Sequence, residues 1–215
     1  MKRSVLVIAA AMLLVVLAAC GSSAEERKQV ETMVTAAIRE YENRESVEVR
    51  ITLTNVLESG TYVQNDATLW RHGKNWLMET KVPAGDETLL VTQLQYGNLL
   101  FTETRGEVSC QELTLEGVGQ VQYEGFDSYA WQEDGSCVIT LDRKATSEEK
   151  KKNIVRRCYT MTVDAEGNLL HLLMQAFNEQ SEHMDQEVHI LRWDTPTCAE
   201  NIENTYEILN DKVKQ

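Results

Sequence analysis

Four histidines are the side chains of this sequence best suited to bind metal or move protons: His72, His171, His183 and His189. On a β-strand, His183, Asp185, Glu187 and His189 would share one face, because alternate residues point to the same side. A metal site on that strand is one interpretation. The favoured interpretation is a solvent-exposed polar face, so the sequence predicts no metal and no cofactor.

Catalytic motifs do not occur in the sequence. It has no HExxH, GxSxG, P-loop, GxGxxG or EF-hand pattern. Carboxylates are too numerous in so acidic a chain for a catalytic pair to be picked out. We therefore predict no catalytic residues and a protein that is not an enzyme.

The first cysteine, Cys20, follows a segment typical of export signals. Lys2 and Arg3 precede an apolar run, residues 5–16, that is too short for a membrane span. The sequence Leu-Ala-Ala-Cys-Gly at 17–21 resembles a bacterial lipobox, which implies lipid attachment at Cys20. We expect residues 1–19 to be removed, residues 20–24 to form a lipidated tether on the extracytoplasmic face of a membrane, and residues 25–215 to form one domain. The alternative is an ordinary secreted protein.

Besides Cys20 the sequence has an even number of cysteines, in a chain that is expected to be exported. They are Cys110, Cys137, Cys158 and Cys198. Oxidising conditions favour disulfides there, so we predict two, with the pairing left open among three possibilities. Zinc binding is the less favoured alternative, because no CxxC pair occurs. A nucleophilic cysteine is equally disfavoured.

The chain is strongly acidic, with 34 acidic and 21 basic residues. Because a negative protein surface repels the phosphate backbone, we predict that nucleic acid is not a partner. One segment, residues 143–157, instead carries a net charge of +5. A solvated loop or short exposed helix is the simpler interpretation of this basic segment. The functional one is contact with a membrane or polyanion, through Lys150, Lys151, Lys152, Arg156 and Arg157.

Hydrophobic periodicity predicts an α+β fold. Apolar residues from Val30 to Tyr41 recur at helical spacing, and a period of two begins at Val47. Glycine turn signals then recur every 9 to 13 residues, which is typical of an antiparallel meander. A short helix is expected at Ile202 to Val213. The predicted strands are 46–57, 61–71, 75–82, 88–96, 98–104, 107–115, 137–142, 157–164, 168–178 and 182–193.

Several later strands have apolar residues on both faces, such as the run from Leu169 to Met174. A sheet with one solvated face should alternate cleanly instead. The extra apolar side chains need cover from a helix, from curvature of the sheet or from a ligand. The candidates for ligand-facing residues are Trp70, Leu90, Leu100, Leu170, Leu172 and Met174.

The chain resembles the LolA/LppX-like lipoproteins in four features. These are the export signal with its lipobox, the amphipathic helix, the long meander and the stretch TVDAEGNLL at 162–170. This resemblance implies a curved antiparallel half-barrel covered by an N-terminal helix and a short C-terminal helix. Known members bind acyl chains or lipoproteins inside. The family has no catalytic motif, so no functional residue is transferred. The cysteine count and the last helix depart from its pattern.

The leading functional hypothesis is a membrane-anchored, non-enzymatic binding lipoprotein that holds an apolar ligand or an apolar partner segment. The alternative is an envelope interaction or signalling module that binds through its exterior. An apolar cavity in the folded chain would separate the two. The identity of the ligand, the partner, the oligomeric state and the type of envelope stay open.

Overall fold

The computed structural model describes residues 24–115, 117–121 and 123–214. The predicted signal peptide and Cys20 lie outside the described residues. Three helices are present in the described part: α1 (Ala24–Asn43), α2 (Ser147–Lys151) and α3 (Pro196–Val213). The strands are β1 (Ser46–Leu57), β2 (Gly60–His72), β3 (Asn75–Ala84), β4 (Glu87–Tyr96), β5 (Leu99–Thr104), β6 (Glu107–Glu112), β7 (Ser128–Trp131), β8 (Cys137–Lys144), β9 (Arg156–Val163), β10 (Leu169–Phe177) and β11 (His183–Trp193).

All the strands belong to one antiparallel sheet in the order β6-β5-β4-β3-β2-β1-β11-β10-β9-β8-β7. It consists of two meanders, β1 to β6 and β7 to β11, which join where β1 pairs with β11. The register shifts in β1 at Glu48/Val49 and Leu53/Thr54, and in β10 between Leu169 and His171. Such irregularities bend a strand and increase its twist, so they favour a curved sheet.

The first meander turns tightly. Each of its five connections has two residues, as the glycine spacing predicted. Gly73 and Gly97 have φ values of 57° and 61°. Two-residue hairpin turns require positive φ, which glycine adopts without steric cost.

One face of the sheet, here called the inner face, is covered by α1. Val30, Val34 and Tyr41 of α1 are at most 2% exposed, and they pack with Val49 and Leu69 of the sheet. The end of α1 is also held by polar contacts, because the Arg71 guanidinium donates to the carbonyl oxygens of Tyr41 (2.8 Å) and Glu42 (3.2 Å). The predicted amphipathic helix therefore forms and covers the sheet.

The opposite, outer face is covered by α3 over the first meander. Ile202 and Leu209 pack against Leu77, Leu94 and Phe101. The helix begins at the N-cap Thr195, whose side chain accepts from the Thr197 N–H, and Pro196 starts the first turn. Ring stacking of Tyr96 and Tyr206 at 4.0 Å and the Lys212–Glu103 ion pair add to this interface.

Each of the ten expected strands forms, and β6 ends three residues earlier than expected, at Glu112. Strand β7 was not predicted, because its four residues show little hydrophobic alternation. The basic segment contains α2, whose start is closed by a capping box between Thr146 and Glu149. None of the helices in the described part of the chain has the length and apolar character needed to cross a membrane.

The prediction of two disulfides is wrong for this structure, since Cys110, Cys137, Cys158 and Cys198 are all free. Cys110 lies on β6 near one edge of the sheet, whereas Cys137 and Cys158 lie on β8 and β9 near the other. Cys137 pairs with Val163, five residues along β9 from Cys158. Because five is odd, the two side chains point to opposite faces, and a disulfide between them is impossible without rebuilding the sheet.

Candidate functional site

A cavity of about 380 Å³ lies between the inner face of the second meander and its covering elements, and it is partly open to solvent. Four apolar side chains of the sheet form its floor: Ile139, Met161, Leu172 and Val188. The register aligns them in one row, since Ile139 pairs with Met161, Met161 with Leu172, and Leu172 with Val188. Strand alternation adds Leu141, Tyr159 and Met174 in the next row.

The roof of the cavity comes from α1 and from the segment that crosses the inner face between β6 and β7. Tyr41 of α1 and Gly119, Val121 and Tyr123 of the crossing segment line it. Gly119 has a φ of 74°, and a Cβ there would lie 3.1 Å from Cδ2 of Leu69. This close approach lets the crossing segment lie against the sheet core. Burial raises the pKa of Tyr41 above its usual value, so its hydroxyl stays protonated.

Two arginines and two glutamates form a network at the end of the cavity near α2, where Arg143 Nε also lies 2.8 Å from the Glu124 carboxylate. The Glu149 carboxylate accepts from Arg143 (2.8 Å) and is paired with Arg157. The Arg157 guanidinium also lies 3.2 Å from the Met174 sulfur, and Arg143 Nη2 lies 3.4 Å from the Tyr159 hydroxyl. The hydrogen bonds from Arg143 and the Thr146 N–H hold the pKa of Glu149 well below its usual value, so this end of the cavity is ionised but internally paired.

One buried hydroxyl of the cavity lining has no hydrogen-bond partner among the described residues. The buried hydroxyl oxygen of Tyr123 accepts and donates no hydrogen bond within the described residues. Burial, the largest influence, raises its pKa. An unpaired buried hydroxyl costs about 1 to 3 kcal/mol, so a hydrogen-bond partner for Tyr123 would stabilise this part of the roof.

The predicted ligand-facing residues separate into three groups. Leu172 and Met174 line the cavity. Leu100 is 4% exposed within the inner-face core, and Leu170, at the register shift in β10, is 37% exposed. Trp70 and Leu90 lie on the outer face: Trp70 packs with the residues under α3, and Leu90 is 47% exposed.

Sequence reasoning missed most of the floor and all of the roof. Met161 and Val188 share the alternation pattern of Leu172, so strand parity together with the correct register would have found them. The crossing segment shows no helical or strand periodicity. Its position over the sheet has no local signal in the sequence.

The basic segment lies at the ends of β8 and β9. Lys150, Lys151 and Lys152 are exposed on and just after α2. Arg156 forms an ion pair with Asp142 on the outer face. Arg157 forms an ion pair with Glu149 at the end of the cavity, on the inner face. The five residues predicted to form one contact surface are therefore divided between a solvated helix, a surface ion pair and the cavity end.

Three side chains on the outer face are close enough to hold a metal ion together. The atoms that His171, Glu187 and His189 offer all lie within 4.8 Å of one another. The sequence placed Glu187 and His189 on one face of a strand but did not bring His171 to them, because its strand pairing was unknown.

Comparison with solved structures identifies the fold. The lipoprotein LppX from Mycobacterium tuberculosis superposes with a TM-score of 0.50 at 15% identity, over 81% of this chain and 98% of that one. LprF from Mycobacterium bovis gives a TM-score of 0.44 at 15% identity, over 82% and 96% of the two chains. No family model matches the sequence, and no curated protein matches it.

The chain therefore has a LolA/LppX-like fold, an α+β curved half-barrel of antiparallel strands with helices against it. This confirms the expected fold class and the resemblance read from the sequence. At 15% identity the likeness concerns the fold alone.

Proposed function

We propose that this chain is a non-enzymatic, membrane-anchored binding lipoprotein on the extracytoplasmic side. It holds an acyl chain or another apolar ligand, or an apolar segment of a partner, in the cavity between the inner face of β8 to β11 and its roof. The observation that carries the proposal is the cavity itself, of about 380 Å³ and lined mainly by aliphatic and aromatic side chains. Ligand sites in proteins have this size and character.

The chemistry of the cavity selects an elongated apolar ligand. Its floor is a row of side chains from four neighbouring strands, so it extends across the strands, and its two ends differ in polarity. Each buried CH₂ group contributes about 0.8 kcal/mol. The Tyr123 hydroxyl is the group best placed to take a hydrogen bond from a polar head, because it has no partner in the described chain.

Two features support a location at a membrane surface. The lipobox implies lipid at Cys20, four residues before the start of α1 at Ala24, and four extended residues span at most about 14 Å. The first turns of α1 lie beside the start of β7, where Arg27 donates to the Asp127 carbonyl (3.1 Å). Asp127 in turn pairs with β8 at Thr140, four residues from the basic end of that strand. The first turns of α1 therefore lie beside the half of β8 that leads to the exposed lysines of α2.

The test uses residues 20–215 with Cys20→Ser, purified and delipidated. We expect lipid in the organic extract of the protein before delipidation, seen by mass spectrometry, and saturable binding of a fluorescent fatty acyl probe afterwards. Within a saturated fatty acid series, affinity should rise about fourfold per added CH₂ until the cavity is full. The absence of both co-purified lipid and probe binding would favour the exterior-binding module instead.

A matched pair of substitutions on one strand locates the binding site. Leu172→Trp fills the cavity floor and should abolish probe binding. Leu170→Trp makes the same change two residues away at a position 37% exposed outside the cavity, and it should leave binding unchanged. Circular dichroism and thermal melting of both variants separate loss of binding from loss of folding. Equal effects of the two variants on binding would contradict the proposed site.

A further inference from the structure

The outer face of the second meander carries a compact group of metal-binding side chains. The Glu187 carboxylate oxygen Oε1 lies 2.9 Å from His171 Nε2 and 3.1 Å from His189 Nε2. The two imidazole rings are 4.4 Å apart between centroids. Three nitrogen and oxygen ligands thus converge on one point of the surface.

The sheet register holds this group in place. His171 lies directly opposite His189 in the pairing of β10 with β11, and Glu187 lies two residues before His189, on the same face of the sheet. All three side chains come from two central strands of the sheet, so their Cα positions are fixed by backbone hydrogen bonds. No loop has to move to assemble them.

The site is also accessible from solvent. The side chains of His171, Glu187 and His189 are 23%, 41% and 45% exposed. Helix α3 covers the first meander instead, where its buried residues meet Leu77, Leu94 and Phe101. An ion can reach the group, and water can complete its coordination.

We propose that His171, Glu187 and His189 form a binding site for a divalent transition metal ion, with Zn²⁺ as the representative ion. Two imidazoles and one carboxylate are a ligand set that Zn²⁺ takes when a water fills the fourth position. With bond lengths near 2.0 to 2.1 Å, tetrahedral ligands lie about 3.3 Å apart. The two measured separations between histidine nitrogens and the Glu187 oxygen are within a few tenths of that value.

The ligand set also selects among ions. Ca²⁺ and Mg²⁺ prefer sites built from oxygen ligands, whereas imidazole suits zinc, copper and nickel. Binding of Cu²⁺ and Ni²⁺ at the same residues is also expected, because imidazole suits both ions and Cu²⁺ generally binds such sites more tightly than Zn²⁺. An ion here would join β10 to β11 through their side chains.

The charges around the site are compatible with a cation. Arg50, which pairs with His189 across β1 and β11, has its guanidinium held by Asp66 through two 2.9 Å hydrogen bonds. The Glu187 carboxylate faces both imidazoles, at 2.9 and 3.1 Å. Its negative charge therefore favours a cation bound at this point.

The metal site and the apolar cavity are independent. His171 and Leu172 are neighbours in β10 and point to opposite faces of the sheet, so an ion on the outer face does not touch a ligand on the inner one. Failure of the lipid-binding proposal would leave the metal proposal standing, and the reverse also holds.

The test is a calorimetric titration of the untagged chain, residues 20–215 with Cys20→Ser, with ZnCl₂ at pH 7.5 after iodoacetamide treatment to block accessible thiols. We expect one ion per chain. His171→Ala, His189→Ala and Glu187→Gln should each weaken binding by about tenfold or more. Zn²⁺ should also raise the melting temperature, and EDTA should reverse that increase.

The matched control is His183→Ala. His183 lies on the same strand and the same face as His189, but its imidazole is paired with Asp185 at 3.4 Å and packs on Phe177. This variant should bind Zn²⁺ like the parent chain. The proposal is overturned by the absence of a saturable event, by one ion per two chains, or by a His171→Ala/His189→Ala variant that binds as the parent does.

Discussion

Replacing Glu149 by Gln tests whether the ionic network at the cavity end stabilises the fold. Glu149 accepts two hydrogen bonds from Arg143, at 2.8 and 3.2 Å, and one from the Thr146 N–H at 2.8 Å, and it pairs with Arg157. Its side chain is 15% exposed. Gln keeps the size and one acceptor oxygen but presents an NH₂ group to guanidinium donors.

The magnitude follows from these contacts. A hydrogen bond to a charged group contributes about 1.5 to 3 kcal/mol, and the retained oxygen keeps part of that. We expect the free energy of unfolding to fall by about 2 kcal/mol at pH 7, or about 4 to 8 °C in melting temperature for a chain of this size. Glu148→Gln removes the same charge from the exposed neighbouring residue of α2 and should change stability by less than about 0.5 kcal/mol.

The pH dependence separates a charge effect from a packing effect. The folded-state pKa of Glu149 is lowered, so its stabilisation is present above the unfolded-state pKa and is lost as pH falls through the folded-state value. In urea titrations the difference between parent and Glu149→Gln should be constant from pH 7 to 5 and should shrink below about pH 4.5. A difference that persists undiminished into strong acid, or one no larger than that of Glu148→Gln, would refute the reasoning.

Three further predictions concern other parts of the molecule. Ile202→Ala, at a position 1% exposed on the sheet-facing side of α3, should lower the free energy of unfolding by about 2 to 5 kcal/mol in urea titrations. Ile208→Ala, at a position 57% exposed on the same helix, should change it by less than about 0.5 kcal/mol. Iodoacetamide at pH 8 should label Cys110 in the folded chain and Cys198 only after unfolding, because burial raises the pKa of Cys198 to about 11; early labelling of Cys198 in peptide mass spectra would contradict this. Changing the three lysines at 150–152 to Gln should weaken binding of the lipidated protein to anionic vesicles by about tenfold or more at low salt and have little effect on neutral ones; equal vesicle binding would show that α2 is simply solvated.

The strands and long helices were predictable because their signals are local. Alternation from Val47 to Leu53 required one buried face, and glycines at turn positions divided the first meander into hairpins of fixed length. In α1 the spacing of Val30, Val34 and Tyr41 places them on one stripe, and all three are buried. Strand β7 escaped detection because its four residues carry too little periodicity. For the same reason the basic segment was left open between a solvated loop and a short exposed helix, and it contains the five-residue helix α2.

The cysteines and the apolar candidates show where local reasoning ends. An even cysteine number in a chain with an export signal suggested disulfides, but pairing needs Cα atoms within about 7 Å, and strand order decides that. Trp70 and Leu172 are both apolar residues of strands, yet Trp70 lies under α3 while Leu172 lines the cavity. Which face a strand residue occupies follows from parity, whereas which element covers that face does not.

The sequence by itself determined the lipobox at Cys20, the absence of catalytic motifs, the α+β class and the alternating strands, because these depend on residue type and on spacing along the chain. Only the tertiary structure decided that β1 pairs with β11, that the segment between β6 and β7 covers the inner face, and that His171 meets Glu187 and His189. Each of these joins residues far apart in sequence, and the register that aligns them comes from backbone hydrogen bonds between distant strands. The proposed acyl site and the proposed metal site lie on opposite faces of this sheet. Both are assembled by the pairing of strands that are distant in sequence.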